Sequence, residues 1–344
     1  MSSSVKSLAV LYLALCWGGV SAAESSPPVA GEPAGPAMHD LAAFRQAVQA
    51  GGPPKDGIPS VDRPRFVAAD EVDLADEERI IGLYLDGEAR AYPQRILVWH
   101  EIVNDEVAGR ALSITYCPLT GTALGFNRGN TEFGVSGRLV NSNLIMYDRA
   151  TDSEWPQILG VAIDGPLAGQ GLEEVRLFWT TWGAWRERHS DTQVLSERTG
   201  YVRNYRRDPY GSYAPLRGYY RPESGRLFPV MHDDQRFPPK APIFGFRAPE
   251  GAAAITPAAL ARDRVVNVRL GETLYTVIHD PELDTGWAYR NPDDVAIDPE
   301  TLSFTPSGIE GPGIESLEPV HGFEAMWFAW VAFYPETDVI GELP

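Results

Sequence analysis

The first strong pattern in the chain is an apolar run, a turn signal and a second apolar run. Residues 79–85 are almost entirely apolar, Asp86-Gly87 favours a tight hairpin turn, and residues 89–92 suit the returning strand. Pro93 then opens a predicted helix through Trp99, because proline is favoured at the first helical position. The pattern therefore predicts a β-hairpin followed directly by a short helix.

Short apolar or alternating segments continue along the chain. Further predicted strands are residues 111–116, 122–126, 133–140 and 144–147. Besides the helix after Pro93, helical patterns are confined to short segments at residues 41–44 and 179–188. The 33 glycines and 29 prolines separate these many short elements. We predict a strand-rich α+β fold with short helices.

The chain also contains a diverged internal repeat. Three anchor pairs are each separated by 163 positions: Gly82 and Gly245, Asn104 and Asn267, and Cys117 and Asp280. A later motif, Trp182-Gly183-Ala184-Trp185 against Trp327-Phe328-Ala329-Trp330, is separated by 145 positions. This period is far too long for a solenoid. We therefore expect two diverged repeat subdomains related by a pseudo-twofold axis.

The amino terminus has the features of a secretory signal. Lys6 precedes an apolar run at residues 8–17 that is too short to span a bilayer, and small residues at 20–23 allow cleavage after Ala22 or Ala23. The alternative is a lipoprotein signal ending at Cys16, although bulky Leu15 is a poor residue for that motif. We expect an exported protein, periplasmic or extracellular, with lipid anchoring at Cys16 as the minor alternative.

The remaining domain boundaries follow from composition. We assign residues 1–23 to the signal peptide and residues 24–40, rich in Ser, Pro, Ala and Gly, to a flexible tether. Residues 41–200 form the first repeat subdomain, 201–240 a bridging segment, and 241–344 a second, degenerate repeat subdomain. We predict no transmembrane helix after the signal.

Charge and cysteine content narrow the function classes. The chain has 344 residues, 29 Lys+Arg against 47 Asp+Glu, and a net charge of −18, which disfavours nucleic acid and anionic membranes as partners. After removal of the signal, Cys117 would be the only cysteine, so neither an internal disulfide nor a redox thiol pair is expected. The expected partner is a small molecule or a metal ion.

The two copies differ in polar residues that suggest a site. The first copy has His100-Glu101 where the second has Asp263-Arg264, and Cys117 where the second has Asp280. The segment from Asn141 to Arg149 falls in the region that the second copy has shortened. Shared residues are typical of a scaffold, so the residues unique to the first copy are the candidates for chemistry.

One interpretation of these residues is a metal site. Cys117 and His100 would be ligands, and the thioether of Met146 would favour copper over zinc. A further ligand would come from His232, His279 or His321.

A second interpretation is a thiol-dependent hydrolase or transferase. Cys117 would be the nucleophile and His100 its base. The imidazole would be oriented by Asn141, Asn143, Asp148 or Glu101. Asp148 with Arg149 could bind a carboxylate or phosphate, although such a pair is more often a surface ion pair.

A third interpretation is a non-catalytic binding domain. The stretch from Tyr201 to Tyr220 is rich in aromatic residues and arginine, and its part from Asn204 to Tyr210 could line a ligand cleft. The residues leave open whether the protein is an enzyme.

Three motifs together resemble one known family. They are residues 100–105 (HEIVND), residues 116–123 (YCPLTGTA), and residues 141–149 (NSNLIMYDR) with Thr151, Ser153 and Trp155. From about Ile80 to Ile340 the chain resembles the bacterial and archaeal domain-of-unknown-function family 3179. The resemblance implies an exported or membrane-attached protein and draws attention to His100, Cys117 and residues 141–149. It implies no mechanism.

Overall fold

The computed structural model describes residues 26–35 and 41–342. The predicted signal peptide, Cys16 and residues 24–25 and 36–40 of the predicted tether lie outside the described residues. Within the rest of that tether, Ala30–Gly31 pairs antiparallel with Gly171–Leu172. In the part of the chain that is described, no helix is long and apolar enough to cross a membrane.

The first half of the chain is built mainly from strands. Its elements in chain order are β1 (Ala30–Gly31), α1 (Leu41–Gln46), β2 (Gln49–Ala50), β3 (Phe66–Ala68), a 3-10 turn (Ala69–Glu71), β4 (Arg79–Leu85), β5 (Glu88–Pro93), α2 (Gln94–His100), β6 (Ile102–Val107), β7 (Arg110–Cys117), β8 (Thr122–Asn127), β9 (Phe133–Val140), β10 (Asn143–Asp148), β11 (Glu154–Pro156), β12 (Gly171–Leu172), β13 (Glu174–Val175), β14 (Phe178–Thr181), α3 (Trp182–Arg188) and β15 (Gln193–Leu195).

The remaining elements are one hairpin within the bridging segment and the elements that follow that segment. They are β16 (Gly211–Tyr213), β17 (Leu216–Gly218), β18 (Pro242–Ala248), β19 (Gly251–Ile255), α4 (Pro257–Asp263), β20 (Val265–Leu270), β21 (Thr273–Asp280), β22 (Thr285–Arg290), a 3-10 turn (Pro299–Thr301), β23 (Ser303–Thr305), β24 (Gly308–Glu310), a second 3-10 turn (Ile314–Ser316), β25 (Glu318–Val320), β26 (Gly322–Met326), α5 (Trp327–Phe333) and β27 (Asp338–Ile340). The strand-rich α+β class predicted from the sequence is confirmed.

Most predicted elements occur, with two shifts. The Asp86-Gly87 turn joins β4 to β5, and both turn residues have positive φ, as the hairpin requires. Pro93 ends β5 opposite Ile80 rather than beginning α2, which starts at Gln94. The segment predicted as one helix from Trp179 is a strand up to Thr181, because its aromatic and β-branched residues pair with β4; the helix follows from Trp182.

The sheets of the two halves have the same order of neighbours. In the first half one sheet runs β14-β4-β5-β15 with β3 at its edge, and in the second half a sheet runs β26-β18-β19-β27. A second sheet runs β13-β8-β7-β6 in the first half and β25-β22-β21-β20 in the second. The four-stranded sheet β11-β10-β9-β2 contains residues 143–148 of the segment 141–149, which was expected to fall in the region that the second copy has shortened.

Buried aromatic side chains join the halves. One apolar cluster contains Phe133 and Trp155 of the first half together with Trp327 and Phe333 of the second. An ion pair crosses the same boundary: Arg188 of α3 donates to both carboxylate oxygens of Asp280 in β21, at 2.5 and 2.9 Å. The halves therefore share a core rather than folding as separated domains.

Candidate functional site

Cys117 is the last residue of β7, where it pairs with Thr122 across the turn. Its side chain is 1% exposed. Its sulfur lies 3.9 Å from the carbonyl oxygen of Ser142 and also interacts with Thr120 and with the backbone of Leu144. Burial raises the pKa of the thiol to about 11, with a further contribution from the charge of Glu101. Burial therefore favours the neutral thiol over the thiolate that a nucleophile requires.

His100, the last residue of α2, is also buried, but its ring is engaged elsewhere. Nδ1 lies 2.8 Å from the carbonyl oxygen of Pro59, and Nε2 lies 2.7 Å from the hydroxyl of Tyr205. Burial lowers the pKa of the imidazole. Among the described residues no hydrogen bond joins His100 to Cys117, although the two are the predicted partners in both the metal and the enzyme interpretations.

Asn141 and Ser142 form the turn between β9 and β10. Both have positive φ, 54° and 61°, which suits a two-residue hairpin turn. The Asn141 amide donates to Ala332 O at 2.9 Å, and its oxygen accepts from Met231 N at 2.8 Å. Asn141 therefore ties α5 and the bridging segment to the first half, and does not orient His100.

Asn143 belongs to a buried polar network beneath the turn after Cys117. Its amide donates to the Thr120 hydroxyl and to Gln157 Oε1 at 3.1 and 3.0 Å. Gln157 in turn donates to Thr115 Oγ1 at 2.9 Å and accepts from Thr122 at 2.7 Å. Each member has a partner, so the network specifies the packing here and leaves no free group for a ligand.

Asp148 and Arg149 contact different partners. Asp148 is fully buried and accepts from Thr151 N at 2.6 Å and from the Trp155 indole at 3.0 Å. Arg149 donates to Asp62 at 2.8 Å and also pairs with Glu132. The two side chains do not form a joint pocket for an anion.

Met146 lies in the core strand β10, opposite Val135 and Trp155, and is fully buried. Within the described residues, no group of three or more His, Cys, Asp and Glu side chains is arranged to hold a metal ion. Of the proposed further ligands, His279 lies 3.3 Å from Asp284, and His321 is beside a different cleft lined by Glu174 and Arg176.

Glu101 has the least usual environment in the region. It caps α2 with a left-handed backbone (φ 59°, ψ −29°), and its side chain is only 7% exposed. No hydrogen bond from a described residue reaches its carboxyl group. Burial raises its pKa to about 8. The sequence offered one signal for Glu101, since it is a position where the two copies differ.

A cavity of about 520 Å³ lies beneath the bridging segment. Its walls come from residues 73–79, from the start of α2, and from residues 205–214. Tyr205, Asp208 and Tyr213 belong to the stretch for which the sequence suggested ligand binding, whereas Arg79 and Gln94 were not identified from the sequence.

Asp208 organises the inner wall of this cavity. Its Oδ2 accepts from Gln94 Nε2 at 2.9 Å and from the Tyr220 hydroxyl at 2.8 Å, and its Oδ1 accepts from Tyr210 N at 2.7 Å. Tyr213 stacks on Tyr220 with ring centroids 4.0 Å apart. A carboxylate offers about four acceptor positions, so one on Oδ1 remains available.

Arg79 is the unpaired cation of the cavity. Arg95 is held by Glu78 and Glu197, at 3.2 and 2.9 Å. Arg206, also on the wall, pairs with Asp73. By contrast, the half-buried guanidinium of Arg79 has no hydrogen bond or ion pair with any described residue, and its charge acts only at longer range on the carboxyl groups of Asp284 and Glu324. The cavity thus presents a free cation and a carboxylate with a spare acceptor position.

The comparisons with known proteins leave the activity open. A family model described as "Protein of unknown function (DUF3179)" matches residues 55–337. No curated protein and no solved structure matches the chain.

Proposed function

We propose that the chain, which belongs to the family of proteins of unknown function DUF3179, is an exported protein that binds a small zwitterionic or hydroxy-acid molecule beneath its bridging segment. The observation that carries the proposal is that one cavity wall presents both the free guanidinium of Arg79 and the carboxylate of Asp208. A ligand with an anionic group at one end and a hydrogen-bond donor at the other complements both.

The size and polarity of the cavity support this ligand class. About 520 Å³ is within the range of small-molecule sites. Phenol groups of Tyr205 and Tyr213 and the amide of Gln94 supply neutral polar groups beside the charges. The other wall cations are already paired, so a bound anion would be drawn to Arg79 rather than distributed over the rim.

The contacts favour binding over the alternatives predicted from the sequence. A thiol-dependent hydrolase requires an activated thiolate, but burial favours the neutral thiol of Cys117. A copper site on Cys117, His100 and Met146 requires a free imidazole nitrogen, and both nitrogens of His100 have protein partners.

The proposal also includes export of the protein and an internal duplication of its chain. The basic start, apolar run and small residues at 1–23 support secretion, and N-terminal sequencing of the mature protein from the periplasm or medium would test it. Descent of the halves from one ancestor, with a pseudo-twofold relation, is supported by the shared strand order. It is also supported by the same left-handed residue after α2 and α4, Glu101 and Arg264, each with φ 59°.

Calorimetric titration would test ligand binding. The probes are acetate, glycine, serine, glycolate and succinate, with ammonium and inorganic phosphate for comparison. We expect at least one of glycine, serine and glycolate to bind, and Arg79→Gln to weaken that binding by about tenfold or more, the loss of one charge-assisted hydrogen bond. Arg262→Gln is the matched control, because Arg262 is an exposed partner of Asp263 in α4 and neither residue lines the cavity. Equal affinity for wild type and Arg79→Gln would refute the proposal.

A further inference from the structure

The inner carboxylate of the cavity has hydrogen-bond partners but no cation. Half-buried Asp208 accepts from an amide, a phenol and a backbone N–H, all of them neutral. Among the described residues none forms an ion pair with it. Of the other acids on the wall, Asp73 and Glu78 are paired with arginines, and Glu77 is exposed to water. A negative charge that is withdrawn from water and not compensated by the protein favours a cationic group on the ligand.

The amide of Gln94 provides a second acceptor beside this carboxylate. Gln94 lines the cavity and is only 7% exposed. Its nitrogen, and not its oxygen, must face Asp208 at 2.9 Å, because a carboxylate accepts hydrogen bonds and only the amide nitrogen donates them. The Oε1 atom of the same amide accepts no hydrogen bond from any residue that the structure describes. A buried carbonyl oxygen without a protein donor indicates a donor on the ligand.

The β4–β5 hairpin brings the free cation close to these two acceptors. Ile80 pairs with Pro93, so the next residue on each side puts Arg79 opposite Gln94. Opposite residues of an antiparallel ladder have Cα atoms about 5 Å apart. Gln94 in turn contacts Asp208, and all three residues line the same cavity. A guanidinium, an amide oxygen and a carboxylate therefore follow one another along one wall, within reach of a single small molecule.

The second half lacks both the guanidinium and the amide at the equivalent positions. At the offset of 163 positions, Pro242 is the counterpart of Arg79, and Pro257 is the counterpart of Gln94. Both prolines line a much smaller cavity of about 40 Å³. The same hairpin and helix therefore form without these polar groups, so the fold does not require them in the first half. This comparison supports a role for Arg79 and Gln94 in binding a ligand.

We propose that the ligand is a small amino acid, with its carboxylate on Arg79 and its ammonium group on Asp208 Oδ1 and Gln94 Oε1. This inference rests on the proposed function and selects the zwitterion over the hydroxy acid. An ammonium group has a positive charge and three N–H donors, so it can serve both acceptors and compensate the carboxylate. A hydroxyl group has one donor and no charge. It would leave one acceptor unpaired and the charge of Asp208 uncompensated.

Calorimetric titration with matched pairs of ligands tests this choice. Glycine and glycolate, or alanine and lactate, differ only in an ammonium group and a hydroxyl group. We expect the amino acid of at least one pair to bind about tenfold more tightly, or better, than its hydroxy acid. N-acetylglycine keeps the carboxylate but has no ammonium group, and it should bind at least about tenfold more weakly than glycine.

Two variants remove the acceptors of the ammonium group. Asp208→Asn should reduce the preference for the amino acid to less than about threefold, because it removes the charge and lets the Gln94 oxygen turn toward the new amide. Gln94→Met should also narrow the preference, since it keeps the side-chain length and removes Oε1. Glu77→Gln is the matched control. Glu77 is an acid of the same wall, but it is exposed, so its loss should leave the preference unchanged.

The outcomes separate this inference from the proposed function. Equal affinity of wild type for both members of each pair, with both weakened in Arg79→Gln, would overturn the amino acid and leave the proposed function standing. A wild-type preference that persists in Asp208→Asn would also overturn it. Absence of binding by every ligand would refute both. Near-ultraviolet circular dichroism verifies that each variant is folded, and if Asp208→Asn does not fold, the wild-type pairs, N-acetylglycine and Gln94→Met still decide.

Discussion

Replacing Arg188 with methionine tests the ion pair that joins the two halves. The guanidinium contacts both oxygens of Asp280 at 2.5 and 2.9 Å, and the two side chains are 4% and 0% exposed. A second acid, Glu282, lies 2.6 Å away but is largely exposed. Methionine keeps most of the side-chain volume and removes the charge. The loss of stability therefore reports on the ion pair rather than on a cavity.

The expected loss of unfolding free energy depends on the hydrogen bonds that Asp280 retains in the variant. Removing one member of a buried pair typically costs about 3–5 kcal/mol, because the other charge stays buried without its partner. Asp280 would retain the amides of Glu282 and Leu283, each at 3.1 Å, and the Trp287 indole at 3.2 Å. We therefore expect the lower end, about 3 kcal/mol. For roughly 300 ordered residues, an unfolding entropy of about 2 cal/mol/K per residue converts this to a fall of about 5 °C in Tm.

Differential scanning calorimetry at pH 7 measures this shift, and α3 offers a matched control. Arg186 lies two residues earlier and pairs with Asp76 at 2.9 Å, but the side chains are 47% and 69% exposed. An exposed pair contributes under about 1 kcal/mol, so Arg186→Met should lower Tm by less than about 2 °C. Equal shifts in the two variants would refute the reasoning that burial makes the Arg188 pair important.

Two further predictions concern stability. Burial, with the charge of Arg188, lowers the pKa of His189 to about 4, so the unfolded chain takes up its proton first as pH falls from about 6.5 to 4. Stability should fall by about 2 kcal/mol across that window after allowance for partial screening. His189→Phe keeps an aromatic ring that is stacked on Tyr84 and tilted against Trp185, so it should flatten the dependence of Tm on pH; parallel pH profiles would contradict this. A methyl group at Gly82 would overlap the Trp185 ring, and one at Gly245 would overlap Trp330, so each Gly→Ala variant should lose about 2–3 kcal/mol in urea unfolding. Gly225→Ala, in open space, should be within about 0.5 kcal/mol of wild type, and a similarly small effect at Gly82 would count against tight packing there.

Local patterns in the sequence were sufficient for much of the fold. The apolar run at residues 79–85, the Asp86-Gly87 turn and the returning residues 89–92 predicted the β4–β5 hairpin, because apolar runs and turn chemistry are properties of adjacent residues. The same reasoning failed at Trp179–Thr181, where aromatic spacing suggested a helix. Pairing with β4, about 100 residues earlier in the chain, makes that segment a strand.

The arrangement of the candidate site was harder to predict than the fold, because it depends more strongly on long-range contacts. Cys117 and His100 were singled out as unusual residues, and both are buried in the first half. Their pairing was inferred from a separation of 17 positions, whereas the partners of the His100 ring are Pro59 and Tyr205, which lie far from it in the chain. Glu101 stood beside them in the sequence, but only its burial without a hydrogen-bond partner makes it prominent.

The sequence by itself determined the strand-rich class, the hairpin before α2, and the membership of the chain in its family, since each depends on residue order over short stretches. Only the tertiary structure decided which polar groups are satisfied and which are free. Arg95 and Arg79 are both arginines near the same cavity, yet Glu78 and Glu197 neutralise the first and no described residue pairs with the second. Whether a charge is available to a ligand depends on the groups that folding brings around it, and distant parts of the chain supply those groups.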